Sequence, residues 1–413
     1  MMTEEEKERL QTLAGRVREI SETSVNQERR KSWTAHHDLK VGRPMILIEA
    51  HELVPLMGIR GRLKCKDGWA REIEEQLLTR IWRFEELGDD AVVEPVVNCA
   101  WRISQTGFGV ELKETHGSSE HGGSSHWDPV ITDLDRDVEK LHCRRLEVDR
   151  KRSLHEFEQA SELFDGILNV RMRGMLWWTT GMTADAIKLM GMESFLMGMF
   201  DNPQGIHRLM SFLRDDQLEF IRQAQELGIL TLNNEDDYVG SGTIGYVSEL
   251  PGRDITNRKI TPADMWVLSE SQETVGVSPQ MFAEFIFPYQ QEIVERFGLT
   301  YYGCCEPLHE RWSVVKQISN LRAASISPWC DQEFMADALK RDYVFCRKPN
   351  PTLISTEKFD ESAIEADLRK TVETAHNCNL EIVMKDIHTI NAESSRPSRW
   401  VEIARRVCGT ERM

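Results

Sequence analysis

Leu299-Thr300-Tyr301-Tyr302-Gly303-Cys304-Cys305-Glu306-Pro307-Leu308-His309 opens the part of the chain whose reading decides the fold. An apolar stretch of strand length ends in a polar cluster, and residues 308–318 then read as a helix. The unit recurs to the C-terminus: 323–327 precedes a helix over 331–340, 343–346 one over 360–376, and 380–384 the last, over 398–407. Short buried strands alternating with amphipathic helices predict a parallel sheet, since a strand can return parallel to its neighbour only through a crossover.

The same alternation extends backwards. Met45-Ile46-Leu47-Ile48-Glu49-Ala50 is an apolar run ending in His51-Glu52, followed by a helix over 68–87 and a strand within 92–101. Residues 112–127, rich in Gly, Ser and His, read as a loop or hairpin excursion; His116, His121 and His126 there suit an exposed loop better than a metal site. Further strands are expected at 145–148, 168–178 and 229–232, with helices over 154–164, 183–200 and 204–227, and one opened by Ser278-Pro279 and running to 297. About eight such units predict an α/β chain folded as a (β/α)8 TIM barrel over 41–413, preceded by a charged helical arm over 1–40. An open doubly wound sheet is the alternative.

Composition narrows the function. Of 413 residues, 40% are hydrophobic and 29% charged, a globular balance that excludes disorder and low-complexity architectures. The net charge of −17 argues against a general nucleic-acid binder and against docking on anionic membranes. There is no apolar run of transmembrane length, and the acidic N-terminus lacks the form of a secretory signal, so a cytoplasmic location is expected. Nine irregularly spaced cysteines do not make a disulfide framework. Neither a Gly-x-Gly-x-x-Gly turn nor a P-loop is present to bind a nucleotide.

In a barrel the chemistry sits at the C-terminal ends of the strands. Those ends carry a polar ring: His51 and Glu52; Glu235, Asp236 and Asp237; Glu270 and Glu273; Cys304, Cys305, Glu306 and His309; Cys330 and Asp331; Arg347 and Lys348; Lys385, Asp386 and His388. Thiolate, carboxylate and imidazole are ligands that zinc accepts, which makes Cys304, Cys305, Glu306, His309 and His388 candidate metal ligands. Vicinal cysteines on one strand point to opposite faces, so one of the pair is expected to be structural. Asp386 and His388 alternate about Ile387 and project to the same side. Cys330 reads first as a small buried side chain, and the methionines at 190, 192, 197 and 199 as helix-face core. Trp177 and Trp178 end a strand and are candidates for lining an apolar pocket.

Several segments resemble one family. They are Asp128-Pro129-Val130-Ile131 leading into Leu134-Asp135-Arg136-Asp137-Val138-Glu139-Lys140-Leu141, then Ser278-Pro279-Gln280-Met281-Phe282 and Phe287-Pro288-Tyr289, then Cys304-Cys305-Glu306 and Lys348-Pro349-Asn350-Pro351. Together they are similar to the uroporphyrinogen decarboxylase superfamily, and within it to the corrinoid-dependent methyltransferases, over roughly residues 40–410. The decarboxylase's Arg-Gln-Ala-Gly-Arg signature is absent, and Tyr302-Gly303-Cys304 or Gly303-Cys304-Cys305 stands where thiol-directed relatives carry His-x-Cys.

The resemblance therefore implies the substrate-side branch. Such an enzyme moves a methyl group from a small methylated donor, such as a methoxylated aromatic, to the Co(I) of a partner corrinoid protein. Zinc or an acid would activate the leaving group, with Asp236, Glu270 and Asp386 as acid or orienting groups and His51, Trp177, Lys348 and Cys330 on the substrate. The chain lacks the Asp-x-His-x-x-Gly corrinoid motif, so the cobamide must come with the partner; a homodimer is compatible. Alternatives are a decarboxylase or lyase of the same superfamily, a methylcorrinoid:thiol or folate methyltransferase, and a non-catalytic tetrapyrrole carrier.

Overall fold

The structure, a computed structural model, describes residues 2–116, 125–174 and 179–410. Eight strands form parallel ladders: β1 (Met45–Ile48), β2 (Val96–Ala100), β3 (Asn169–Arg173), β4 (Trp266–Ser269), β5 (Leu299–Tyr302), β6 (Leu321–Ile326), β7 (Val344–Arg347) and β8 (Asn379–Met384). Six make one sheet in the order β1-β8-β7-β6-β5-β4, and β2 pairs with β3. This is the barrel-type α/β architecture, with a ladder that, among the described residues, is not continuous around the ring.

The strands read as unbroken apolar runs because both of their faces are covered. Met45, Leu47, Leu268, Tyr301, Ala323, Val344, Cys346 and Val383 fill the interior. Ile46, Ile48, Val267, Tyr302, Ile326, Phe345 and Ile382 pack outward under the helices.

The ladder lapses where the sequence predicts a strand at 229–232. There the Asn233 carboxamide substitutes for a neighbouring backbone, accepting the Trp266 N–H at 2.8 Å and donating to the Trp266 carbonyl at 3.0 Å. Thr231 Oγ1 accepts the Gly174 N–H at 2.9 Å. The expected strand at 145–148 forms as Leu146–Val148 but pairs antiparallel with Ile103–Gln105, outside the barrel. The 112–127 excursion is a hairpin pairing Glu114–His116 with Ser125–Trp127; His121 lies outside the described residues.

Three expected helices are broken. The one over 183–200 divides at Gly191, which takes φ +81°. The one over 279–297 divides at Ile286, because Pro288 has no N–H to continue the ladder. The one over 308–318 shrinks to the turns Leu308–Glu310 and Trp312–Val315.

The N-terminal residues are less of an arm than their charge suggests. Helix α1 (Glu4–Ser21) buries Leu10, Leu13, Ala14, Val17 and Ile20, a stripe at helical spacing, in one cluster with Ile73 and Leu77 of the helix Gly68–Trp82. Helix α2 (Ser24–His37) sends Trp33 into the barrel interior, where its indole N–H donates to the Asp90 carbonyl at 2.7 Å.

A hairpin, Tyr238–Gly240 with Thr243–Ile244, lies against the inner wall of the barrel. Glycine at 240 permits this approach, since a Cβ there would stand 2.3 Å from the Tyr301 ring.

Candidate active site

The six strands of the main sheet run the same way, so the residues that follow β1, β5 and β8 meet at one mouth. β5 ends at Tyr302, and Gly303 takes φ +98°, a conformation that glycine adopts without penalty. The alternation expected of vicinal cysteines therefore does not apply: the two sulfurs turn together, with Cys304 Sγ 3.5 Å from Cys305 Sγ. Both therefore belong to one polar cluster at the mouth. Cys304 is buried and accepts hydrogen bonds from Lys385 Nζ at 3.2 Å and Ser241 Oγ at 3.4 Å. Lys385 also donates to Ser241 Oγ at 2.8 Å and stands 3.5 Å from the Asp386 carboxylate. Cys305 is half-buried, its Sγ 3.7 Å from Asp386 Oδ2.

These contacts polarise the pair. The hydrogen bond from Cys305, the Lys385 ammonium and the Ser241 hydroxyl bring the Cys304 thiol down to about 7. Cys305 is pushed up by its bond to Cys304 and by burial, and stays a thiol. Burial opposes the charge on Lys385, but Cys304 and Asp386 outweigh it and raise its pKa. The first proton of the pair is thus lost near neutrality and the second is held.

Beside this pair, β1 ends in a second group. Glu49, His51 and Glu52 offer one ligand atom each, all within 4.8 Å of one another. His51 is exposed, 3.7 Å from the Glu49 carboxylate, with Tyr238 edge-on at 6.4 Å. Glu52 accepts the Ile387 N–H at 2.9 Å, which joins this group to the loop after β8. Burial, then Glu49, raises the pKa of Glu52.

Of the residues expected to act together, the structure gathers Cys304, Cys305, Asp386 and, at the rim, His51. The expected zinc ligands do not form one set: among the described residues no cluster of three ligand atoms contains any of them. Lys385 occupies the approach to Cys304 that a cation would use. Glu306 is buried and spends both carboxylate oxygens on backbone, accepting from Cys304 N at 2.8 Å and Ser271 N at 3.0 Å. His309 accepts the Asp331 N–H at 3.2 Å and faces Phe334, and His388 is exposed on the loop after β8.

The other expected residues are distributed more widely. Glu270 is buried, and burial, then Glu273 and Glu306, push its pKa well above the usual carboxylate range. Asp236 pairs with Arg171 at 3.3 Å and Arg80 at 3.5 Å, and with His51 and Arg80 it lines a cavity of about 590 Å³ beside the mouth. Lys348 is buried in the barrel, 2.8 Å from Cys346 Sγ, and does not reach the rim. Cys330 is buried in the outer core. Trp177 lies outside the described residues.

Sequence reasoning left Glu49, Tyr238 and Ser241 out of the site. The Gly-Ser-Gly at 240–242, a hairpin signal just after the acidic run, is what could have pointed to Ser241.

The chain is similar in fold to a known methyltransferase. A methyltransferase from Methanosarcina mazei superposes with a TM-score of 0.53 over 92% of this chain and 98% of its own, at 11% sequence identity. No family model matches the sequence. No curated protein matches it either. Among the described residues no helix is long and apolar enough to cross a membrane.

Proposed function

We propose that the chain is the substrate-side methyltransferase of a corrinoid system, moving a methyl group from a small methylated donor such as a methoxylated aromatic to the cobamide of a partner protein. The observation that carries this reading is the Cys304–Cys305 pair at the open mouth, backed by Lys385, on a barrel shared with a methyltransferase. The corrinoid, once docked, supplies the nucleophile that takes the methyl group.

The chain's own residues then solve the leaving-group problem. As the carbon–oxygen bond breaks, its electron pair stays on the donor's oxygen, which needs a proton. An acid with a pKa near the working pH is the efficient donor. Cys305, on the mouth side, hands its proton to that oxygen and takes another from Cys304. The resulting Cys304 thiolate rests against Lys385 and Ser241, and the proton is restored from solvent past Asp386. The cavity lined by His51 and Asp236 is the place for the donor's body, with room for a small molecule.

Zinc taken up at this mouth belongs to Glu49, His51 and Glu52, not to the cysteines, and would supply Lewis-acid polarisation of the donor oxygen.

The test is methyl transfer from a panel of methoxylated aromatics to Co(I) cobalamin, followed by the absorbance of the corrinoid. Wild type should turn over at least one donor. Cys304→Ala and Cys305→Ala should each lose about 100- to 10,000-fold, the usual worth of a general acid. Unchanged rates in the double variant would overturn the acid role. Turnover of a carboxylated substrate without any corrinoid would replace the reading with that of a metal-free lyase.

A further inference from the structure

Deeper in the barrel interior, on β8 four residues before Lys385, lies a second polar cluster that the proposed chemistry does not use. Glu381 is a carboxylate in the middle of an apolar strand, fully buried. The last two residues of α2, His36 and His37, are buried against it, each with its Nε2 3.4 Å from Glu381 Oε2. Among the described residues no hydrogen bond reaches either Nε2 or Glu381 Oε1. Around them stand Trp33, 5.4 Å from His37, and Trp266, 5.4 Å from it on another side.

The tautomer of His37 is determined by its other nitrogen. Nδ1 lies 2.8 Å from the Tyr246 carbonyl, which can only accept, so Nδ1 carries the proton. In a neutral imidazole Nε2 then presents a lone pair to a buried carboxylate. Such a pairing is repulsive unless a proton or a metal cation stands between them. A ring N–H held by a backbone carbonyl, with the other nitrogen turned inward, is the arrangement of a metal-bound histidine.

We propose that His36 Nε2, His37 Nε2 and Glu381 bind one divalent transition-metal ion, zinc by the chemistry of the donors, that fastens α2 to the barrel. The spacing agrees: zinc bonds of about 2.1 Å in a tetrahedron put neighbouring donor atoms about 3.4 Å apart, and both nitrogen–oxygen separations are 3.4 Å. Thr243 Oγ1 donates to Glu381 Oε2 at 3.0 Å and holds the carboxylate in place. Cys346, the register partner of Glu381 on β7, is the neighbouring soft group. The C-terminal end of α2 further favours positive charge at this point.

The experiment is elemental analysis of the full chain purified without a tag or chelator, alongside His37→Ala, Glu381→Gln and the mouth double variant Glu49→Gln/His51→Ala. About one zinc per chain should be present in wild type, retained in the mouth variant and lost from His37→Ala and Glu381→Gln. Chelator-stripped wild type should regain zinc on titration, with a melting temperature several degrees higher. Wild type that takes up no zinc and shows no shift overturns the proposal and leaves a proton-bridged buried ion pair. Zinc lost only from the mouth variant also overturns it. If His37→Ala and Glu381→Gln fail to fold, the mouth double variant decides the matter: about one zinc per chain regained on titration supports the site at α2, and none overturns it.

Discussion

A cysteine with a neighbouring lysine is an ordinary sequence feature; what gives Cys304 its character is the number of donors around one buried sulfur. Cys305, Lys385 and Ser241 all face it, and each favours the thiolate over the thiol. The charged form is therefore present above about 7, whereas an isolated cysteine would need pH 8 to 9. Ultraviolet titration of the thiolate should give a midpoint near 7 that vanishes in Cys304→Ser. In Lys385→Met the midpoint should move up towards the ordinary thiol value. Because the proton donor is the thiol, methyl transfer should fall as pH rises through the same midpoint, and the fall should shift upward in Lys385→Met. A midpoint unaffected by removal of the ammonium would mean that Lys385 plays no part in the ionisation.

At the scale of elements, side chains replace backbone where the barrel ladder lapses. Asn233 is buried and serves both the N–H and the carbonyl of Trp266, so Asn233→Ala leaves two backbone groups of β4 unpaired in a dry environment. Each such group costs about 1–3 kcal/mol, and chemical denaturation should show a loss of that order, with Asn233→Asp recovering only the acceptor half. The inner hairpin depends on a different constraint. Its close approach to Tyr301 leaves no room for a side chain at 240, and this same hairpin delivers Ser241 to Cys304 and Thr243 to Glu381. One element thus positions a donor in each of the two polar clusters.

Across the whole molecule, Asp90 joins the ends of the chain. Its fully buried carboxylate accepts from Arg43 at 2.7 Å, just ahead of β1, from the Ile46 N–H at 2.9 Å, and from Arg405 of the last helix at 2.8 Å. Burial works against its charge, but the two arginines hold its pKa below the usual carboxylate range. The sign for stability follows: the contribution is present above the unfolded pKa of about 4 and is lost as pH falls through the lowered folded value. Asp90→Asn removes one partner of a buried pair and should destabilise by about 3–5 kcal/mol, measured as a lower melting temperature at neutral pH. The variant should also lose part of the acid sensitivity of wild type.

The sequence by itself determined the architecture and the end of the barrel that carries the polar residues. Alternation of buried strands with amphipathic helices is a local pattern, repeated often enough over 299–407 to specify parallel strands and a polar rim at their ends. That is why Cys304, Cys305 and Asp386 are legible as candidates in the sequence alone. Which rim residues touch was decided only by tertiary structure. The positive φ of Gly303 turned both sulfurs inward, a lysine came to lie where a metal was expected, and His309 and Glu306 were drawn off by the Asp331, Ser271 and Cys304 backbones. His36 and His37 lie more than 340 residues from Glu381 and share no motif with it. Periodicity reports which face of an element is buried; it carries no information on which distant element arrives to cover that face.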